Sequence, residues 1–186
     1  MIDNGACSYR RFLEGDDDGI VELIRDYKDG MILYINSIVG NIFVAEEIME
    51  EVFVRIATKK PRFTPNYTFK TWLYTICKNT AIDHLRQSVR YSDQPIDEYD
   101  DYLKAEYDIE TTYISNEQKI ALHRVLAKLN PDYRQVLYLV YFEEFSNEQT
   151  SKVMNKSKRQ IEQLLYRAKA ALKKILLSEG FEYERL

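Results

Sequence analysis

The chain has 186 residues, 45% of them apolar and 30% charged, with only six Gly and four Pro; this suits a helical protein of one or two packed domains and excludes a turn-rich all-β fold. No apolar run approaches the roughly 18–20 residues of a membrane span, and no basic start leads into an apolar stretch, so a cytoplasmic protein without membrane insertion is expected. The net charge of −4 hides an asymmetry: basic and acidic residues number 12 and 13 over 1–90, 1 and 8 over 91–115, 12 and 6 over 116–177, and 1 and 3 over 178–186.

The N-terminal half reads as a helical bundle. Phe12, Leu13, Ile20, Val21, Leu23 and Ile24 open it, and residues 31–39 are apolar enough for a buried helix segment. Over 44–57, Ile48, Val52, Phe53 and Ile56 repeat at helical spacing with Glu46, Glu47, Glu50 and Glu51 opposite, which predicts an amphipathic helix with an acidic outer face. Pro61 and Pro65 make 59–68 a loop, and Phe69 restarts the helix. In that helix Phe69, Leu73, Ile76 and Leu85 mark an apolar face, with Trp72 alongside. Lys70, Tyr74 and Lys78 are placed on the other face, with Asn79 and Arg86 at its edges. Cations, an amide and aromatic rings along one helix are the chemistry for holding phosphates and stacking on bases.

Residues 91–115 form an acidic linker with Pro95 and five tyrosines (Tyr91, Tyr99, Tyr102, Tyr107 and Tyr113). A second helical domain follows. A helix is expected over 116–129; then Asn130-Pro131 predicts an N-cap and first turn, opening a helix through Phe142. Ser146-x-x-Gln149 and Ser157-x-x-Gln160 are capping-box patterns that each start a further helix. Asn155, between them, suits the left-handed conformation of a tight turn. The last helix carries an apolar stripe at Ile161, Leu164, Leu165, Ala168, Leu172, Ile175 and Leu176.

Short helix, tight turn and longer helix make a helix-turn-helix, whose second helix presents its N-terminal residues to base edges in the major groove. Arg159 suits a bidentate contact to guanine, and Gln160 or Gln163 to adenine. Lys156, Lys158, Arg167 and Lys169 suit phosphates, and Ser157 starts the helix.

Taken together these blocks resemble the extracytoplasmic-function (ECF, group 4) sigma factors of bacterial RNA polymerase. Ala45-Glu46-Glu47-Ile48-Met49-Glu50-Glu51-Val52-Phe53, Phe69-x-x-Trp72-Leu73, Lys78-Asn79 and Asp83-x-x-Arg86 are similar to the family's second conserved region. Asn130-Pro131-x-x-Arg134 and the run from Ser146 to Arg167-Ala168-Lys169 are similar to its fourth. The resemblance implies an all-α chain of two small domains. Residues 8–90 would bind core polymerase and the −10 element, 91–115 would link, and 116–177 would bind the −35 element. It also implies that Glu47, Glu50 and Glu51 dock on the clamp coiled coil of the largest polymerase subunit, although the family often has Gln at the position of Glu50. An acidic face fits a basic partner. Phe63, Tyr67, Lys70, Lys78 and Asn79 would act on the −10 strand, where base extrusion is offset by stacking and edge contacts. Trp72 fits core packing or DNA contact. Asp83 and Arg86 fit an ion pair or the DNA surface. Promoter DNA is the other implied partner, with an anti-sigma factor as a further candidate.

Enzyme readings find little support. Cys77 and His84 lie two turns apart on one helix with no third group, and His123 is a lone histidine on an amphipathic helix. Cys7 and Cys77 form no metal spacing and read as reduced thiols. No cofactor or metal is expected. The alternative to a sigma factor is a conventional helix-turn-helix regulator that binds operator DNA without polymerase core. A nucleic-acid-modifying enzyme is the remaining class.

Overall fold

The computed structural model describes residues 3–91 and 117–178, and every regular element among them is helical. The chain divides into two compact units, Met1–Tyr99 and Asp100–Leu186. The expected linker therefore lies outside the described residues, apart from Tyr91 at its edge.

The N-terminal unit contains α1 (Asn4–Leu13), α2 (Asp18–Val39), α3 (Ile42–Lys59) and α4 (Phe69–Tyr91). Each start has a chemical cause. The Asp3 carboxylate accepts the Ala6 N–H at the head of α1, and the Asn41 amide oxygen accepts from Phe43 and Val44 at the head of α3. Gly40 closes α2 with φ 73°, a left-handed cap that glycine adopts at no steric cost. Helix α2 packs against all three others. Gly19 lets it approach α1, because a Cβ there would strike the backbone of Ser8 and Phe12. Met31, Ile32, Tyr34 and Ile35 from α2, Ile48, Val52 and Ile56 from α3, and Phe69, Leu73 and Cys77 from α4 form one core. Each large apolar side chain contributes about 1.5–3 kcal/mol by leaving water.

The C-terminal unit contains α5 (Glu117–Ala127), α6 (Pro131–Leu137), a π-helical turn (Tyr138–Phe142), α7 (Asn147–Met154) and α8 (Lys158–Ser178). Asn130 caps α6 through Tyr133 N–H at 2.9 Å, with Pro131 in the first turn. The helix expected to run to Phe142 widens at its end, where Glu143 N–H reaches back five residues to Tyr138 C=O at 3.2 Å. There the Tyr138 and Phe142 rings stack at 4.9 Å, and the His123 ring meets Phe142 edge-on at 5.1 Å, so this histidine is a packing residue. Helix α8 is the spine against which α5, α6 and α7 pack.

Candidate nucleic-acid interface

The C-terminal surface is built by two successive caps. In α7 the Ser146 hydroxyl accepts Gln149 N–H at 3.2 Å while the Gln149 side chain accepts Ser146 N–H at 2.9 Å. Asn155 then takes the left-handed conformation, φ 52° and ψ 48°, and reverses the chain. In α8 the same reciprocal pair recurs: Ser157 N–H donates to Gln160 Oε1 at 2.7 Å, and Gln160 N–H to Ser157 Oγ at 3.2 Å. Ile161 and Ala168 anchor α8 in the core, leaving Lys158, Arg159, Gln163, Arg167 and Lys169 exposed. A concavity of about 320 Å³ lies between the head of α6 and α8, lined by Asp132, Lys156, Gln160, Gln163, Leu164 and Arg167.

The caps alter what three of the expected side chains have to offer. Gln160 accepts the Ser157 N–H through its amide oxygen, which fixes the side chain at the helix start while leaving the second lone pair and the NH2 group exposed. Ser157 is committed to the same cap. Lys156 reaches Asp132 at 3.2 Å, which offsets part of its charge. Gln163 is exposed and outside the cap. Lys169 rests 5.2 Å over the exposed Tyr141 ring, about three turns beyond the helix start.

In the N-terminal unit the polar face of α4 differs from the expected one at Tyr74. That side chain is 1% exposed and its ring lies 5.3 Å from the ring of Tyr34, so it belongs to the core. A tyrosine carries enough ring area to be driven inward despite its hydroxyl. Lys70 lies over the Tyr74 ring at 5.7 Å, half-buried, and Lys78 is half-buried too. The outward stripe instead runs through Trp72, Thr75, Ile76, Asn79, Asp83 and Arg86 at three- and four-residue steps. Asp83 and Arg86 pair at 3.2 Å, both well exposed, a contact of about 0–1 kcal/mol.

Trp72 is packed on one side and open on the other. One side packs with Tyr9, Phe63 and Phe69, at centroid distances of 5.4, 5.6 and 5.2 Å, and the residue remains half-exposed. Phe63, on the loop, sits edge-on to both Phe69 and Trp72. Tyr67 is exposed at the loop's far end, beside the start of α4. The aromatic cluster is thus a floor beneath the loop, with Asn79 exposed further along the helix.

On α3, Glu47, Glu50 and Glu51 are exposed as expected. Two neighbours were not picked out as site residues: Phe43 is 45% exposed and Val54 60%, one at each end of the acidic stripe. The signal for them was present, since positions 43, 47, 50 and 54 follow the helical repeat and place two apolar residues on an otherwise charged face.

Among the described residues no helix is long and apolar enough to cross a membrane, and no group of three or more His, Cys, Asp or Glu is placed to hold a metal ion. Neither Cys7 nor Cys77 is in a disulfide.

Comparison with known proteins supplies the remaining context. The family described as Sigma-70 region 2 matches residues 23–91, and Sigma-70, region 4, matches residues 119–172. The chain is 28% identical to the RNA polymerase sigma factor YlaC of Bacillus subtilis over 170 residues, covering 91% of this chain and 98% of the relative. It is 28% identical to the ECF RNA polymerase sigma factor SigW of the same organism, covering 88% and 91%. The fold is similar to that of CnrH, solved in complex with the cytosolic domain of CnrY, with a TM-score of 0.64 at 17% identity over 95% of this chain and 97% of that one. It is similarly close to the sigma factor RpoE of Bartonella quintana, solved with the anti-sigma factor NepR, with a TM-score of 0.64 at 18% identity over 84% and 95%. Both sigma-70 regions occur in order, and the relatives match across nearly their whole length. The chain belongs to the extracytoplasmic-function sigma factors, non-enzymatic subunits that direct RNA polymerase to promoters.

Proposed function

We propose that this sigma factor binds polymerase core through the outer face of α3 and reads its promoter at two separate surfaces. The observation that carries the reading is the doubly capped helix-turn-helix, which turns Lys158, Arg159, Gln163 and Arg167 outward from one rigid helix. Arg159 and Gln163 read base edges of the −35 duplex, while Lys158, Arg167 and Lys156 hold phosphates. Gln160 and Ser157 support the helix start.

Residues 8–90 act on core and on the −10 element. Glu47, Glu50 and Glu51 meet a basic surface on the polymerase clamp, and Phe43 and Val54 add apolar contact at its ends. Phe63 and Trp72 form the base of the strand site, and Tyr67 and Asn79 contact the unpaired strand. Lys70, Lys78 and Arg86 lie along its path. CnrH and RpoE were each solved with a bound protein, in RpoE's case the anti-sigma factor NepR, and an anti-sigma factor is a candidate partner for this chain.

The test is transcription with reconstituted core on fully paired promoters and on promoters whose −10 region is mismatched in advance. The promoters are first mapped by run-off transcription over a genomic library. Tyr67→Ala and Asn79→Ala should be impaired on the paired template and largely rescued on the mismatched one, where the unpairing cost is already removed. Wild-type activity on both would remove these residues from the strand site.

A further inference from the structure

We infer that α1 is a brace that fixes both ends of the 60–68 loop, and that Asp3 and Tyr9 are positioning residues for capture of the unpaired promoter strand. The inference rests on the strand-site reading above, and it concerns a helix that contributes no residue to that site.

At the loop's entry, the buried Tyr9 hydroxyl donates to Pro61 C=O at 2.6 Å, and Lys60 Nζ lies 4.8 Å over the Phe12 ring. Lys60 itself adopts φ 43°, so the chain leaves α3 through a left-handed residue that needs support from its surroundings. At the exit, Asp3 makes two contacts at once. Its Oδ1 accepts Ala6 N–H at 3.2 Å, at the head of α1, and its Oδ2 accepts Phe69 N–H at 2.6 Å, the first residue of α4. One carboxylate thus ties the starts of two helices that are 66 residues apart in sequence. Gly5 keeps the two helices close, since a Cβ there would lie 2.5 Å from both Phe69 Cδ1 and the Tyr27 hydroxyl. Between these anchors lies a stretch without regular structure, carrying Phe63 and Tyr67.

A loop held at both ends has surrendered its conformational freedom before DNA arrives. Releasing either end makes strand binding bear the ordering cost. The contacts are small and tertiary, which makes them separable from the fold. Tyr9→Phe removes only the hydroxyl and keeps the ring in the aromatic cluster. Asp3→Ala releases Phe69 N–H together with the Ala6 N–H at the head of α1. Ser8→Ala is the control: it lies on the same helix and removes a 2.6 Å hydrogen bond from the hydroxyl to the Glu22 carboxylate on α2, away from the loop.

Two readouts decide the matter. The first is amide hydrogen exchange over 60–68 in the free protein. The second is the affinity of reconstituted holoenzyme for a fluorescent single strand carrying the mapped −10 sequence. Tyr9→Phe should speed exchange in the loop and weaken strand binding by about three- to tenfold, the effect of one lost neutral hydrogen bond; Asp3→Ala, which removes two hydrogen bonds to a carboxylate, should do so by at least as much. Ser8→Ala should change neither, although its thermal unfolding shifts by a similar amount. The brace is overturned if Tyr9→Phe and Asp3→Ala bind the strand as wild type does while Tyr67→Ala and Asn79→Ala do not, or if Ser8→Ala weakens binding equally. If Tyr67→Ala and Asn79→Ala also bind normally, the strand-site reading fails and the brace falls with it.

Discussion

Gln160 illustrates how a side chain with two hydrogen-bonding ends can be engaged before any ligand arrives. Its oxygen caps α8, so Gln160→Ala should destabilise the C-terminal unit by about 0.5–2 kcal/mol, and Gln160→Glu should retain stability because glutamate serves the same box. Thermal unfolding of the two variants checks this; equal losses would show that the cap contributes nothing. Arg159 is exposed, and Arg159→Ala should relax preference at a single −35 position by about 1–3 kcal/mol without lowering stability. At the other end of the chain, hydrogen bonds from Ser8 and Arg11 hold the Glu22 carboxyl below its ordinary value of 4.5. A carboxyl with a lower pKa in the folded state stabilises the protein fully above its unfolded value, and loses that contribution as pH falls through the folded one. Stability should therefore decline with acidification from about the ordinary glutamate range downward, and Glu22→Gln should flatten that decline. Parallel pH profiles for the two proteins would exclude Glu22 from the acid response.

The docking face proposed for helix α3 is one that its own folding does not use. Ile48, Val52 and Ile56 fill the core, whereas Glu47, Glu50 and Glu51 point away from it. Reversing the three glutamates to lysine should leave the unit folded and abolish co-purification with core, since like charges across an interface cost several kcal/mol. Phe43→Ala and Val54→Ala should each weaken core binding by about 1–2 kcal/mol if they pack against the clamp. A folded triple reversal that still co-purifies would move the docking surface elsewhere. What could be read from the residues at this scale was local chemistry: the Asn130-Pro131 cap, both Ser-x-x-Gln boxes, the Asn155 turn and the acidic stripe all depend on neighbours within four positions. The missed features depend on distant partners or on small energy differences. Tyr74 looks polar until Tyr34 supplies a ring to pack against. The π-turn at Tyr138–Phe142 differs from a continued α-helix by one residue of hydrogen-bond register. Asp3 can be seen as a cap for α4 only once the fold has brought residues 3 and 69 together.

At the scale of the whole molecule, two units that each bury their own core need not depend on each other to fold. Cleavage within residues 91–115 should leave two helical fragments that unfold independently, each retaining the contact with DNA or core proposed for it. Promoter-specific transcription should nevertheless be lost from the severed mixture. On the proposed function, with the N-terminal unit docked on core, the covalent link would keep the C-terminal unit at an effective concentration on the order of millimolar near the −35 element. A free fragment must instead bind that element from dilute solution, with only its own contacts and with a strong dependence on salt. The measurement is run-off transcription from a promoter carrying both elements, using intact protein, severed protein, and severed protein with excess C-terminal fragment. Activity should fall on severing and return only as the added fragment approaches the effective concentration of the tether. Full activity at nanomolar fragment would mean that the −35 surface finds its site through a direct contact with core polymerase rather than through the tether.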